Sequence, residues 1–157
     1  YGGFNTSLSW KGFDLSAIFA YSIGGYIYNR DITMILHNGS LEGRDWSTEI
    51  LKRWTPENRY TDVPALSTTS NNWNSASTRF LQNNSYMRLK NLTLSYDLPK
   101  QWISKLALSS VQVFVQGDNL FTIHRNQGLD PEQGITGITY YRYPAMRTIS
   151  GGINLSF

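Results

Sequence analysis

Few residues in this 157-residue chain have the types and spacing that do chemistry. Its two histidines, His37 and His124, stand in or beside polar stretches. Neither has a carboxylate or a second His at ligand spacing, so neither reads as a metal ligand or a general base. Serines are plentiful, but no Gly-x-Ser-x-Gly elbow exposes one as a nucleophile. Asp45, Glu49 and Glu57 form a loose acidic group that reads as a solvated loop face rather than a paired acid and base. There is no Cys, which removes disulfides and thiolate metal sites. Gly24-Gly25 and Gly151-Gly152 lie at or within strand patterns, where they read as bends or close-packing points rather than phosphate cradles. The chain is therefore expected not to be an enzyme, and to use no metal and no cofactor. What remains is the chemistry of contact. Trp73, Tyr140 and Tyr141 sit in polar stretches, where exposed rings stack on a ligand or pack against a partner. Asn91, Gln112, Gln116 and Asn154 lie on the polar side of alternating segments, where amides suit neutral solutes.

Those residues must be held by strands. The chain ends Arg147-Thr148-Ile149-Ser150-Gly151-Gly152-Ile153-Asn154-Leu155-Ser156-Phe157. Ile149, Gly151, Ile153, Leu155 and Phe157 share one parity, and small or polar residues share the other. Side chains alternate across a strand with period two, so one face is apolar and one is wet. Near the start, Phe4, Leu8 and Trp10 alternate with Asn5, Ser7 and Ser9. Lys11-Gly12 reverses the chain, the Gly supplying the positive φ that hairpin turns need. Phe13, Leu15, Ala17, Phe19 and Tyr21 then return on one face. Residues 85–98 set Leu92, Leu94, Tyr96 and Leu98 against Asn91, Thr93, Ser95 and Asp97, and Pro99 ends the strand. Val111, Val113 and Val115 oppose Gln112, Phe114 and Gln116, where Phe114 is the one ring on the polar side. Five strands are expected, at about 2–10, 13–23, 85–98, 109–121 and 146–157. Between them run the long stretches 24–84 and 122–144. In the first of these, Asp45 is placed to cap a short helix carrying Trp46, Ile50 and Trp54.

The connections alternate in length. Short ones fall at Lys11-Gly12 and at 99–108; long ones fall at 24–84 and 122–144. In consecutive antiparallel strands all short turns then share one end, which is the asymmetry of outer-membrane barrels. On the apolar parity the only charges are Arg88, Lys90 and Arg147, all near the long-loop end. About ten tilted residues per strand match the height of a bilayer's hydrocarbon layer. Trp10, Tyr96 and Trp102 fall near the short-turn end, as a membrane girdle would. Composition agrees: aromatics are 14% against 16% charged, with ten Tyr and five Trp, rings that favour half-wet sites. The net charge of +3 is scattered, which argues against nucleic-acid binding. No run is long and apolar enough for a transmembrane helix. The chain begins at Tyr1 with neither an initiator Met nor a signal peptide and reads as starting mid-fold. A competing fold is a soluble β-sandwich for carbohydrate binding or adhesion, with the valine parity buried in its core.

Ser85-Tyr86-Met87-Arg88-Leu89-Lys90-Asn91-Leu92-Thr93-Leu94-Ser95-Tyr96-Asp97-Leu98-Pro99 resembles a signature of the SusC/RagA-like TonB-linked outer-membrane transporters. Three further stretches agree in order: Trp54-Thr55-Pro56-Glu57-Asn58 with Thr61-Asp62-Val63-Pro64; Asn119-Leu120-Phe121-Thr122 with Gly128-Leu129-Asp130-Pro131-Glu132; and Tyr143-Pro144 with Arg147-Thr148 and the terminal Phe157. Ala65 and Asp118 depart from the family's commoner residues, which touches local loop contacts only. The resemblance covers roughly the whole chain. It implies an all-β fold: an antiparallel up-and-down meander of five strands, the C-terminal part of a large transmembrane β-barrel of about 22 strands. It implies residence in the bacterial outer membrane and import of oligosaccharides or peptides. The partners it implies are a SusD-like surface lipoprotein and the TonB complex, engaged through an N-terminal plug region that this chain does not contain. It also implies that Phe157 is the terminal aromatic read by the barrel-insertion machinery.

Overall fold

The computed structural model describes residues 1–39, 41–69, 75–104, 108–126, 128–132, 136–139 and 141–157. In chain order the elements are β1 (Gly2–Trp10), β2 (Phe13–Ser22), β3 (Tyr26–Asn29), α1 (Arg30–Ile35), β4 (Leu81–Asn83), β5 (Tyr86–Asp97), α2 (Lys100–Ile103), β6 (Ser110–His124), β7 (Ile138–Thr139) and β8 (Thr148–Ser156). Short 3-10 turns at Thr48–Lys52 and Thr78–Phe80 lie between α1 and β4. The chain divides into two compact units.

The first unit comprises residues 1–25, 84–126 and 143–157. It is one five-stranded antiparallel sheet in the order β1-β2-β5-β6-β8, so each strand pairs with the next of the five along the chain. The hairpin reverses at Lys11 and Gly12, whose φ of 49° and 86° suit a two-residue turn that twists with its strands. Register carries each face across the sheet. Leu8, Leu15, Leu94, Val115 and Gly151 stand in one row, and Trp10, Phe13, Tyr96, Val113 and Ile153 in the next. On the other face, Ser7, Ser16, Thr93, Gln116 and Ser150 form a polar row.

The apolar rows are uncovered. Val113 and Val115 are 42% and 48% exposed, and Leu8, Leu94, Ile149 and Ile153 are exposed as well. A sandwich would bury these side chains between two sheets; only Val111 of the valine row is buried.

One expectation is corrected here. Arg88 does not sit on the apolar face. A β-bulge at Lys90 shifts the register, so that Asn91 pairs with Ile18 but Leu89 pairs with Phe19. The extra residue reverses the parity upstream of it. Met87 and Leu89 thereby join Tyr21 and Phe19, while Arg88 falls opposite Ala20 and Thr122 on the polar side. Its Nε donates to Thr122 Oγ1 at 2.9 Å. The partner strand β6 bulges at the same level, where Asn119 takes a φ of 52°.

Phe114, the ring on the polar face, is accommodated by Gly152 directly opposite it. A Cβ built on Gly152 would lie 2.8 Å from the Phe114 ring. Gly152→Ala is therefore expected to cost about 1–3 kcal/mol by overpacking. The same change in a Phe114→Ala background should cost only a few tenths of that, because the obstructing ring is gone. A double-mutant cycle on denaturant midpoints reads the difference; strictly additive costs would contradict the contact.

Hydrogen bonds fix which connections share an end. Asp97 N donates to Gly12 O at 2.8 Å, Leu98 N to Val111 O at 2.9 Å and Ser109 N to Ser156 O at 2.7 Å. The hairpin turn, the connection through α2 and the C-terminus thus lie together. At the opposite end Asn84 N donates to Gly25 O at 3.1 Å, and Asn126 Nδ2 donates to Asn84 Oδ1 at 3.0 Å. Both long insertions leave the sheet and return there.

The second unit, residues 26–83 and 127–142, shows that the long polar stretches fold on themselves. A small sheet in the order β4-β3-β7 pairs β3 antiparallel with β4 and parallel with β7. Ile27 and Phe80 are buried, and the Tyr28 ring meets Phe80 edge-on at 6.1 Å. Leu36, Ile50 and Val63 form a cluster with Ile32 packed against it. Asn29 caps α1, its Oδ1 accepting from Ile32 N at 3.1 Å. The expected helix after Asp45 is instead a single 3-10 turn capped by Ser47, whose Oγ accepts from Glu49 N at 3.2 Å. Of its three apolar markers only Ile50 is buried.

Candidate functional site

The polar face of the five-stranded sheet gathers the amides that the sequence singles out. Asn91 Nδ2 donates to Asp118 Oδ1 at 2.8 Å. Gln116 Nε2 reaches both oxygens of the same carboxylate, at 3.2 and 3.1 Å. Thr93 Oγ1 donates to Asn91 Oδ1 at 3.0 Å, which turns the Asn91 amide toward Asp118. A second chain lies nearer the short-turn end: Asn154 Nδ2 donates to Gln112 Oε1 at 3.2 Å, and Gln112 Nε2 donates to Asp97 Oδ1 at 3.0 Å. Ser9 Oγ donates to Asp14 Oδ1 beside them. Each carboxylate thus has its charge spread over amide or hydroxyl donors held in strand register, which makes a pre-ordered hydrogen-bonding wall. Asp118 is the hub of the wall. Sequence reading met it only as a departure from a family motif; its polar parity beside Gln116 and opposite Asn91 was the available signal.

The other expected site residues are dispersed. Trp10 and Tyr96 share one row of the apolar face at the short-turn end, with the Tyr96 ring 4.4 Å from Phe13. Trp102, on α2, is exposed, as is Phe157 at 90%. Tyr141 belongs to the second unit: its hydroxyl accepts from Arg44 Nη1 at 2.9 Å, and its backbone N donates to Asp31 Oδ1 at 3.0 Å. Trp73 and Tyr140 lie outside the described residues.

The second unit rationalises the Trp-Thr-Pro-Glu-Asn stretch. Asn58 Nδ2 donates to Lys52 O at 2.9 Å and Arg53 O at 3.3 Å, while Thr61 Oγ1 donates to Lys52 O at 2.6 Å. Trp54 N then donates to Val63 O at 2.8 Å and closes the loop over the buried cluster. The Glu49 carboxylate, 2.8 Å from Lys52 Nζ, holds that ammonium above its usual range, first through their hydrogen bond and then through charge. His37 is buried, its Nδ1 accepting from Leu41 N at 3.2 Å and its ring 5.1 Å from Trp46. Among the described residues no group of three His, Cys, Asp or Glu could hold a metal.

A sheet with one exposed apolar face, one hydrogen-bonded polar face, and its connections sorted by length defines the wall of a membrane β-barrel. Comparison with known proteins narrows the class. No model of a known protein family matches the chain. It is 33% identical to TonB-dependent receptor P3 of Formosa agariphila, over 99% of this chain and 16% of that protein. It is 28% identical to TonB-dependent receptor SusC of Bacteroides thetaiotaomicron, over 99% of this chain and 15% of that protein. Among solved structures, the RagAB peptide importer in its open-open state superposes with a TM-score of 0.87 at 35% identity, over 99% of this chain and 17% of that one. Its closed-closed state gives 0.84. The chain belongs to the SusC/RagA-like TonB-linked outer-membrane transporters, as a C-terminal segment of the barrel. It spans about a sixth of the length of the curated relatives it matches.

Proposed function

We propose that this chain forms part of the wall and the long loops of an importer in the bacterial outer membrane, powered through TonB. The observation that carries the reading is the two-faced sheet: bare apolar rows on one side, and on the other the Asn91, Gln116 and Asp118 network with the Gln112 and Asn154 pair. The apolar rows meet acyl chains, the wet rows line the passage, and the second unit lies among the extracellular loops. Trp10, Tyr96 and Trp102 form the girdle at the short-turn, periplasmic end. Phe157 is the insertion signal. Cargo is an oligosaccharide or a peptide, delivered with a SusD-like lipoprotein. The similarity to RagAB, a peptide importer, supports the peptide member of that class. TonB engages the transporter through a plug outside this chain.

In this reading Asn91, Gln112 and Gln116 contact cargo in the passage, while Trp73, Tyr140 and Tyr141 serve the loops. Replacing Gln112 and Gln116 together with Ala in the full-length transporter should lower energised uptake about tenfold and leave the amount of folded barrel unchanged. Two neutral hydrogen bonds to cargo, at about 0.5–1.5 kcal/mol each, are enough for that effect. Uptake at the parent rate would remove these residues from the passage.

A further inference from the structure

The apolar face of the five-stranded sheet carries two dents. At the long-loop end Tyr21, Met87 and Ile123 stand in one row. Continuing that register past the last pairs places Ser85 between Ile23 and Arg125. Ser85 is the short side chain of the three, and a groove of about 210 Å³ opens there, lined by Ile23, Met87, Ile123 and Arg125. Gly24 N donates to Ser85 Oγ at 2.9 Å, which holds the top of β2 against the start of β5. Ile23, Ile123 and Arg125 are exposed. Among the described residues no carboxylate engages the Arg125 guanidinium. The second dent lies lower on the same face. Gly117 has no side chain, and Leu15, Leu92, Leu94, Val115 and Ile149 surround a hollow of about 290 Å³. Leu120 leans over it from the β6 bulge, its methyls 2.7 and 2.9 Å from where a Gly117 Cβ would stand. From Leu92 to Met87 along β5 is roughly 15 Å at the rise of a strand, with Phe19, Leu89 and Phe121 in the row between.

A groove of methyl groups with a cation at its upper mouth alone fits an amphiphile in one orientation. The guanidinium favours phosphate, which accepts its forked pair of hydrogen bonds. At head-group level it keeps its water, while the rows below it offer only hydrocarbon. Cargo in the passage would meet the opposite face of the sheet. We propose that this groove binds a phosphate-headed lipid of the outer leaflet. The phosphate sits on Arg125, and one acyl chain runs past Met87 and Leu89 toward the Gly117 hollow. The site exists only if the apolar rows meet acyl chains, as proposed above; it adds a preferred head group and a fixed place to that contact.

The test places the full-length transporter in phosphatidylcholine vesicles doped with photoactivatable phosphatidic acid or, in parallel, photoactivatable phosphatidylcholine. Each probe carries a diazirine near the head-group end of one acyl chain, and mass spectrometry locates the adducts. Phosphatidic acid should label Met87 and Ile123 about tenfold more than phosphatidylcholine does, and Arg125→Gln should remove the excess. Moving the diazirine to the methyl end of the chain should shift labelling down to Leu92 and Ile149. Inorganic phosphate at the same concentration should displace nothing, because it has no chain to bury. Equal labelling by the two lipids, an excess that survives Arg125→Gln or is lost to inorganic phosphate, or labelling indifferent to the diazirine position would overturn the site while leaving the face in lipid. Absence of labelling by either lipid, at Leu94 as well, would remove the membrane reading along with it.

Discussion

Phe80→Ala should open the second unit while leaving the five-stranded sheet intact. The Phe80 side chain is almost fully buried and meets the Tyr28 ring edge-on at 6.1 Å. Removing a buried aromatic deletes its transfer free energy and leaves a cavity, together about 3–5 kcal/mol. Aromatic pairing adds about 0.5–1.5 kcal/mol to what is lost. Among the described residues the unit's other buried cluster, Leu36, Ile50 and Val63, is small and gives little reserve against such a loss. Native-state hydrogen exchange in the full-length transporter separates the units. Amides of Ile27 and Tyr28 should exchange on the order of a hundredfold faster or more, while those of Thr93 and Val115 should not change. Coupled acceleration at both places would mean that the two units unfold as one.

Leu94→Arg should cost about 2–4 kcal/mol of folding free energy in a bilayer, the range for a cation near the midplane on a lipid-facing strand. Leu94 stands in the middle of the apolar row with Leu8, Leu15 and Val115. The adjacent Thr93→Arg places the same charge one residue away on the wet face, beside Asn91 and Gln116, and should cost a small fraction of this. The pair controls for composition and for strand propensity. If the exposed row faced water, Leu94→Arg would stay within about 0.5 kcal/mol, as surface changes do. Urea titration of folding into lipid vesicles, read as the midpoint shift for each variant, decides between the two environments. Equal shifts would detach the apolar face from lipid.

How much of this was legible follows from the range of each interaction. Alternation is a local steric property, so Leu92, Leu94 and Tyr96 declared a face without knowledge of their neighbours. The Lys11-Gly12 turn is equally local, because only certain residues tolerate its positive φ. The loops were harder. Asn29 and Asp31 signalled the start of α1, but in a polar stretch that signal is easily lost among other Asn and Ser. Ser47 rather than Asp45 became a cap because packing of Ile50 against Leu36 and Val63 set where the turn begins.

From sequence alone came the all-β meander of five strands, the assignment of one oily and one wet face, and the sorting of short from long connections. All depend on neighbours within a few residues. Only the tertiary structure decided that a bulge at Lys90 returns Arg88 to the polar side, since a register shift exists only relative to a partner strand. It alone brought Asn91 and Gln116 onto the carboxylate of Asp118. It alone closed the second unit by pairing Tyr28 with Ile138 across more than a hundred residues, a contact that no local pattern encodes.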